Sequence, residues 1–106
     1  MEENEIITSL AALAHPMRLR VFRALVVVGA PGLTPGTMSD ALGISAATLS
    51  FHLKELMVAA LVTQERAGRN LIYRAAYGHM NSLLGYLTQN CCQGVPCLDE
   101  ATACQC

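Results

Sequence analysis

The chain has 106 residues, enough for one domain of ordinary size and too few for two. It is 53% hydrophobic and 14% charged, more apolar material than a compact domain of this size readily buries, which predicts a subunit interface in addition to a core. The formal net charge is −1, yet all seven Lys and Arg residues lie between Arg18 and Arg74, where only Asp40, Glu55 and Glu65 oppose them. The middle of the chain is therefore basic and its two ends acidic, the charge pattern that a phosphate backbone attracts. The opening Met-Glu-Glu-Asn-Glu has no basic region ahead of an apolar run, and no stretch of about 18 apolar residues follows. Neither a secretory leader nor a membrane span is expected. The expected location is the cytoplasm, where the five cysteines stay reduced and a cluster of them favours metal or redox chemistry over disulfides.

In chain order, Ile6, Leu10 and Leu13 with Ala14 recur at helical spacing and predict a first helix over residues 3–14. His15-Pro16 interrupts it, and Pro16 suits the first turn of a second helix running to Gly29, with Leu19, Phe22, Leu25 and Val26 inward. Ala30-Pro31-Gly32 is a turn. Thr34-Pro35 opens a short third helix to Leu42, Thr34 as cap, and Gly43 ends it. Ser45 caps a fourth helix to about residue 59, whose buried stripe is Leu49, Leu53, Leu56 and Met57. Two helices joined by a few residues that include Gly form a helix-turn-helix. Leu61 to Arg66 and Leu71 to Ala76 then read as strands around the turn Ala67-Gly68-Arg69-Asn70, and a last helix over residues 77–90 carries Met80, Leu83, Leu84 and Leu87.

The predicted fold is mainly α with a small β-hairpin: a winged helix-turn-helix of order ααααββα, homodimeric through its first and last helices. Residues 1–90 form the DNA-binding and dimerisation domain and residues 91–106 a cysteine-rich tail. With the leucines of the fourth helix inward, its outer face presents Ala46, Ala47, Ser50, Phe51 and Lys54. Small residues let a helix seat in the major groove, Ser50 reaches a base edge or phosphate, Phe51 meets a thymine methyl and Lys54 a phosphate. Arg66, Arg69 and Asn70 at the hairpin tip, with Arg74 on the returning strand, suit a wing lying along the backbone. An ordinary amphipathic helix followed by a solvated charge cluster would look similar piece by piece, and it is their order that points to duplex DNA.

Ser50-Phe51-His52-Leu53-Lys54-Glu55-Leu56, Ala60-Leu61-Val62, and Gly68-Arg69-Asn70-Leu71-Ile72-Tyr73-Arg74 resemble the ArsR/SmtB family of metal-responsive repressors, as does Leu13-Ala14-His15-Pro16-Met17-Arg18-Leu19. The resemblance spans roughly residues 6–90 and implies a homodimer that sits on its own operator and leaves when a metal ion binds. One departure is Ala60, where the family usually has Gly; alanine makes a left-handed cap costlier, so a differently shaped corner is expected. His52 and His15 are expected to be structural, the latter as a cap or packing residue. His79 is alone in the last helix, without the His/Asp pairs of zinc-sensing relatives. The Cys-Val-Cys of several arsenic-sensing relatives is replaced by Thr37-Met38-Ser39.

All five cysteines fall in the last 16 residues, Cys91, Cys92, Cys97, Cys104 and Cys106. Cys91-Cys92-Gln93-Gly94-Val95-Pro96-Cys97 is similar to the site of a branch of arsenic-responsive repressors, an adjacent cysteine pair plus a third. That resemblance implies As(III), or Sb(III) or methylarsenite, as inducer on Cys91, Cys92 and Cys97. The chemistry is consistent: As(III) takes three soft thiolates as a pyramid. Adjacent cysteines on a helix diverge by about 100°, so the helix is expected to fray here and Gly94 to let the chain fold back. A structural zinc site, a thiol redox sensor and a tail without a role remain alternatives. No nucleophile–base–acid set and no phosphate-binding glycine loop appears, so no enzyme and no catalytic cofactor are expected.

Overall fold

The computed structural model describes residues 1–94. Within them the order is α1 (Glu3–Leu13), α2 (Pro16–Val28), α3 (Pro35–Leu42), α4 (Ala46–Val58), β1 (Val62–Ala67), β2 (Asn70–Ala75) and α5 (Tyr77–Thr88), followed by a 3-10 turn Cys91–Gly94. This is the expected ααααββα order. The boundaries follow local chemistry. His15 caps α2, Thr34 caps α3 by accepting from the Thr37 N–H, and Ser45 caps α4 by accepting from the Thr48 N–H, while Pro16 and Pro35 each open the helix that follows. Gly43, at φ +67°, ends α3.

The core lies where α2, α4 and the base of the hairpin meet. Val21, Leu25, Met38, Leu56 and Leu61 are fully buried there, joined by Leu49, Leu53, Phe22 and Tyr73. The inward face of α2 is centred on Val21, Phe22 and Leu25, whereas Leu19, expected inside, is 44% exposed.

The hairpin pairs antiparallel from Val62↔Ala75 to Ala67↔Asn70, so its turn is the two residues Gly68-Arg69, with Gly68 at φ +65°. Leu33 extends this sheet by one residue: its N–H and carbonyl each bond to Tyr73. Gly32, at φ +68°, makes that possible, because a Cβ there would lie 2.6 Å from Ile72 Cγ2 and 2.7 Å from the Tyr73 carbonyl oxygen.

The corner after α4 corrects the sequence expectation. Ala60 adopts φ +63°, the left-handed conformation that glycine adopts most readily. Leu61 N–H bonds the Leu56 carbonyl at 3.0 Å and Ala60 N–H bonds that of Met57 at 2.9 Å, the paired closure of a Schellman motif. Leu56 and Leu61, the two residues bridged by the longer bond, are both fully buried. Their burial holds an alanine in a glycine's shape.

Candidate nucleic-acid interface

Leu49, His52, Leu53 and Leu56 face the core from α4, and Ala46, Ala47, Ser50, Phe51 and Lys54 are all exposed on the opposite side. Positions three and four apart share a helix face, so the five form one continuous strip. Phe51 is 55% exposed, an aromatic ring held in water. The strip begins at the helix-turn-helix corner, where the three residues Gly43, Ile44 and Ser45 link α3 to α4.

On the hairpin, Arg66, Arg69 and Asn70 are exposed, at the tip as the sequence predicts. Arg74 sits back from the tip, half-buried at the base of the hairpin. Its Nε donates to the Ala30 carbonyl at 2.7 Å and its NH1 to Glu65 at 3.1 Å, so it ties the hairpin base to the loop before α3. Glu65 pairs with Ile72, which makes Arg74 its diagonal neighbour across the ladder. The exposed cations left on these elements are Lys54, Arg66 and Arg69, with Arg20 and Arg23 on the outer side of α2.

Behind the strip lies a group that the sequence did not bring together. His52 is buried, and its Nδ1 accepts from Arg18 Nε at 3.3 Å. His15, the cap of α2, accepts from the Met17 N–H at 3.1 Å, and its ring centroid lies 4.7 Å from that of His52. Burial, then the nearness of His15 and Arg18, holds His52 below the ordinary imidazole range. His79 is used elsewhere: its Nε2 meets the buried Ser9 Oγ at 2.8 Å and joins α5 to α1.

The helix ends before the cysteines, as their adjacency suggested. α5 stops at Thr88, Asn90 and Gln93 take positive φ, and Cys91 and Cys92 open the 3-10 turn, with Cys91 exposed. Cys97, Cys104 and Cys106 lie outside the described residues. Among those described, no three His, Cys, Asp or Glu side chains gather as a metal site. No helix among them is long and apolar enough to cross a membrane.

A capped helix-turn-helix whose second helix offers an open strip, backed by a two-stranded wing, defines a winged-helix DNA-binding protein. The chain belongs to the helix-turn-helix domain family, whose model matches residues 13–65. It is a transcriptional regulator of the ArsR type. The HTH-type transcriptional regulator YgaV of Escherichia coli K12 is 26% identical over 83 residues, 78% of this chain and 82% of that protein. Among solved structures, an ArsR-like transcriptional regulator from Rhodococcus sp. RHA1 superposes with TM-score 0.71 at 25% identity, covering 79% of this chain and 76% of that one. A possible transcriptional regulator for arsenical resistance gives TM-score 0.64 at 28% identity, covering 74% and 79%.

Proposed function

We propose that the protein is a repressor that binds operator DNA as a homodimer and is released when As(III), or a related trivalent arsenical or antimonite, binds Cys91, Cys92 and Cys97. The observation that carries the DNA half is the continuous exposed strip on α4 beside the wing cations Arg66 and Arg69. Ala46, Ala47, Ser50 and Phe51 read the major groove, Lys54 contacts phosphate, and Arg66, Arg69 and Asn70 lie along the backbone.

Two helices support the dimer. α1 leaves Ile7 56% and Leu10 42% exposed, and α5 leaves Leu84 45%, Tyr86 41% and Leu87 54% exposed. A second copy covering these faces also places two reading helices for half-sites about 10 bp apart. Sedimentation of the reduced protein at micromolar concentration is expected to give a dimer, and a monomer would remove this part.

The sensor half is supported by the end of α5 at Thr88, ahead of the cysteines, and by likeness to a possible arsenical-resistance regulator. Soft thiolates select a soft trivalent centre, and binding releases protons. The test is titration of the reduced protein, bound to duplex from upstream of its own gene, with As(III), methylarsenite, Sb(III), Zn(II) and Cd(II). Release by the trivalent species alone is expected. Release by Zn(II), or by oxidant alone, would replace this reading with a zinc site or a redox sensor.

A further inference from the structure

Arg20 and Arg23 of α2 are exposed, but Arg18 is half-buried between α2 and α4. Its Nε donates to His52 Nδ1 at 3.3 Å, and its guanidinium carbon lies 5.8 Å from the centroid of the Phe51 ring, within cation–π range. One side chain of α2 thus holds two successive residues of the reading helix, one facing the core and one facing out. Phe51 and His52 also meet edge-on at 5.7 Å.

His15 completes the group. Its Nδ1 accepts from the backbone N–H of Met17 at 3.1 Å and of Arg18 at 3.5 Å, and its ring lies against His52. Both imidazoles therefore act as acceptors at Nδ1, a role open only to the neutral ring. A proton on His52 Nδ1 would set donor against donor at Arg18.

We propose that Arg18 is a positioning residue of the DNA-reading surface, supporting Phe51 from behind, and that a proton on His52 Nδ1 breaks this support on acidification. The proposal deepens the operator-binding reading and rests on it. Among the described residues, the other charged groups on the elements around His52 are Glu3 and Glu5 of α1, Arg20 and Arg23 of α2, Asp40 of α3, Lys54 and Glu55 of α4, and Glu65 and Arg66 of β1. None of them forms a hydrogen bond or ion pair with His52. Glu55 lines the cleft beside Arg18 without bonding it.

The sign follows from His52 being held low by burial, His15 and Arg18. Above the ordinary imidazole value of 6.5 the ring is neutral in the folded and the unfolded chain alike. As pH falls through that value the unfolded chain takes up a proton that the folded site resists. Stability is lost from there down to the lower folded value. General electrostatics predict the reverse for DNA, since added positive charge strengthens phosphate contact. The direction of the pH effect is therefore diagnostic.

The experiment uses the reduced full chain, a labelled duplex from upstream of its own gene and a random duplex, at constant salt and at pH 7.5 and 5.8. Wild type is expected to bind the upstream duplex about threefold more weakly at the lower pH, because the folded site resists the proton in this range. His52→Asn, which keeps an acceptor in place of Nδ1 and cannot titrate, should bind within about threefold of wild type at pH 7.5 and lose most of the pH effect. Arg18→Met should lose about tenfold on the upstream duplex and little on the random one, with Arg18→Lys recovering part. Wild-type affinity that holds or rises at pH 5.8 overturns the proposal, as does an equal loss on both duplexes in Arg18→Met. If no upstream duplex binds at pH 7.5, the operator reading fails and Arg18's role at Phe51 with it. The histidine linkage is then decided separately by melting temperature: a fall between the two pH values in wild type but not in His52→Asn upholds it, and equal falls remove it.

Discussion

Replacing Ala60 with glycine should stabilise the protein. Ala60 sits at φ +63° immediately after the α4 cap, where two closing hydrogen bonds and the burial of Leu56 and Leu61 demand a left-handed residue. That conformation costs an L-residue about 1–2 kcal/mol, because its Cβ approaches the following carbonyl oxygen. Glycine escapes this cost but loses about 0.5–1 kcal/mol more backbone entropy than alanine on folding. The Ala60 methyl is exposed, so removing it forfeits little burial. The balance is a gain of about 0.5–1 kcal/mol, or roughly 2–8 °C in melting temperature for a domain of this size. Ala60→Val, β-branched at positive φ, should lose stability instead. Thermal and urea unfolding followed by far-UV circular dichroism, at matched protein concentration, reads both variants. An Ala60→Gly variant no more stable than wild type, alongside a tolerated Ala60→Val, would refute the assignment of a strained corner.

Gly32→Ala should cost about 2–3 kcal/mol, since its Cβ would strike Ile72 and the Tyr73 carbonyl at positive φ; a loss under about 0.5 kcal/mol in the same unfolding assay would contradict the Leu33–Tyr73 stitch. Arg69→Ala should weaken specific and random duplexes alike and reduce the salt slope by about one unit per wing, whereas Ser50→Ala should relax sequence preference. An unchanged slope in Arg69→Ala rules out phosphate contact by the wing. Replacing Cys91, Cys92 or Cys97 singly with Ser should leave DNA binding intact and abolish release by inorganic As(III), while the Cys104/Cys106 double replacement changes little. Loss of induction in that double variant alone would move the sensor to the end of the tail.

What the sequence made legible is what is local. Thr34, Ser45 and Gly43 punctuate helices through bonds to residues three or four positions away, so their roles can be read from order alone. The outer strip of α4 was legible for the same reason, since a leucine stripe fixes the opposite face. The inward face of α2 was misjudged because this helix meets α1, α3, α4 and β2, and a helix covered on several sides has no single stripe. The ion pair of Arg74 with Glu65 was not legible, because their diagonal exists only once the two-residue turn fixes the register. Arg18 and His52 stand 34 positions apart, and no periodicity joins them. Ala60 shows burial overriding local preference: the corner kept its shape although the residue disfavours it.

The attachments of α5 bear on how a ligand at the cysteines would act on DNA. Its first half is held by its own chain: Tyr77 Oη donates to the Leu25 and Val26 carbonyls at 3.4 and 3.1 Å, His79 meets Ser9, and Leu83 is buried. Its second half, with Leu84, Tyr86 and Leu87 exposed, is left for a partner on the proposed reading. A ligand gathering sulfurs beyond Gln89 therefore pulls first on the intersubunit half of α5. The effect expected is a change in the spacing of two reading helices, with each one keeping its own shape. A 100-fold loss of operator affinity needs a coupling of about 2.7 kcal/mol, within the usual range for two-site linkage. Amide chemical shifts before and after As(III) then have a definite expectation. The largest changes fall in α5 and in the exposed side of α1, and the core-facing contacts of α4 with α2 stay as they were. Changes concentrated in α4, with α5 unmoved, would contradict transmission through the dimer and require a route inside one subunit.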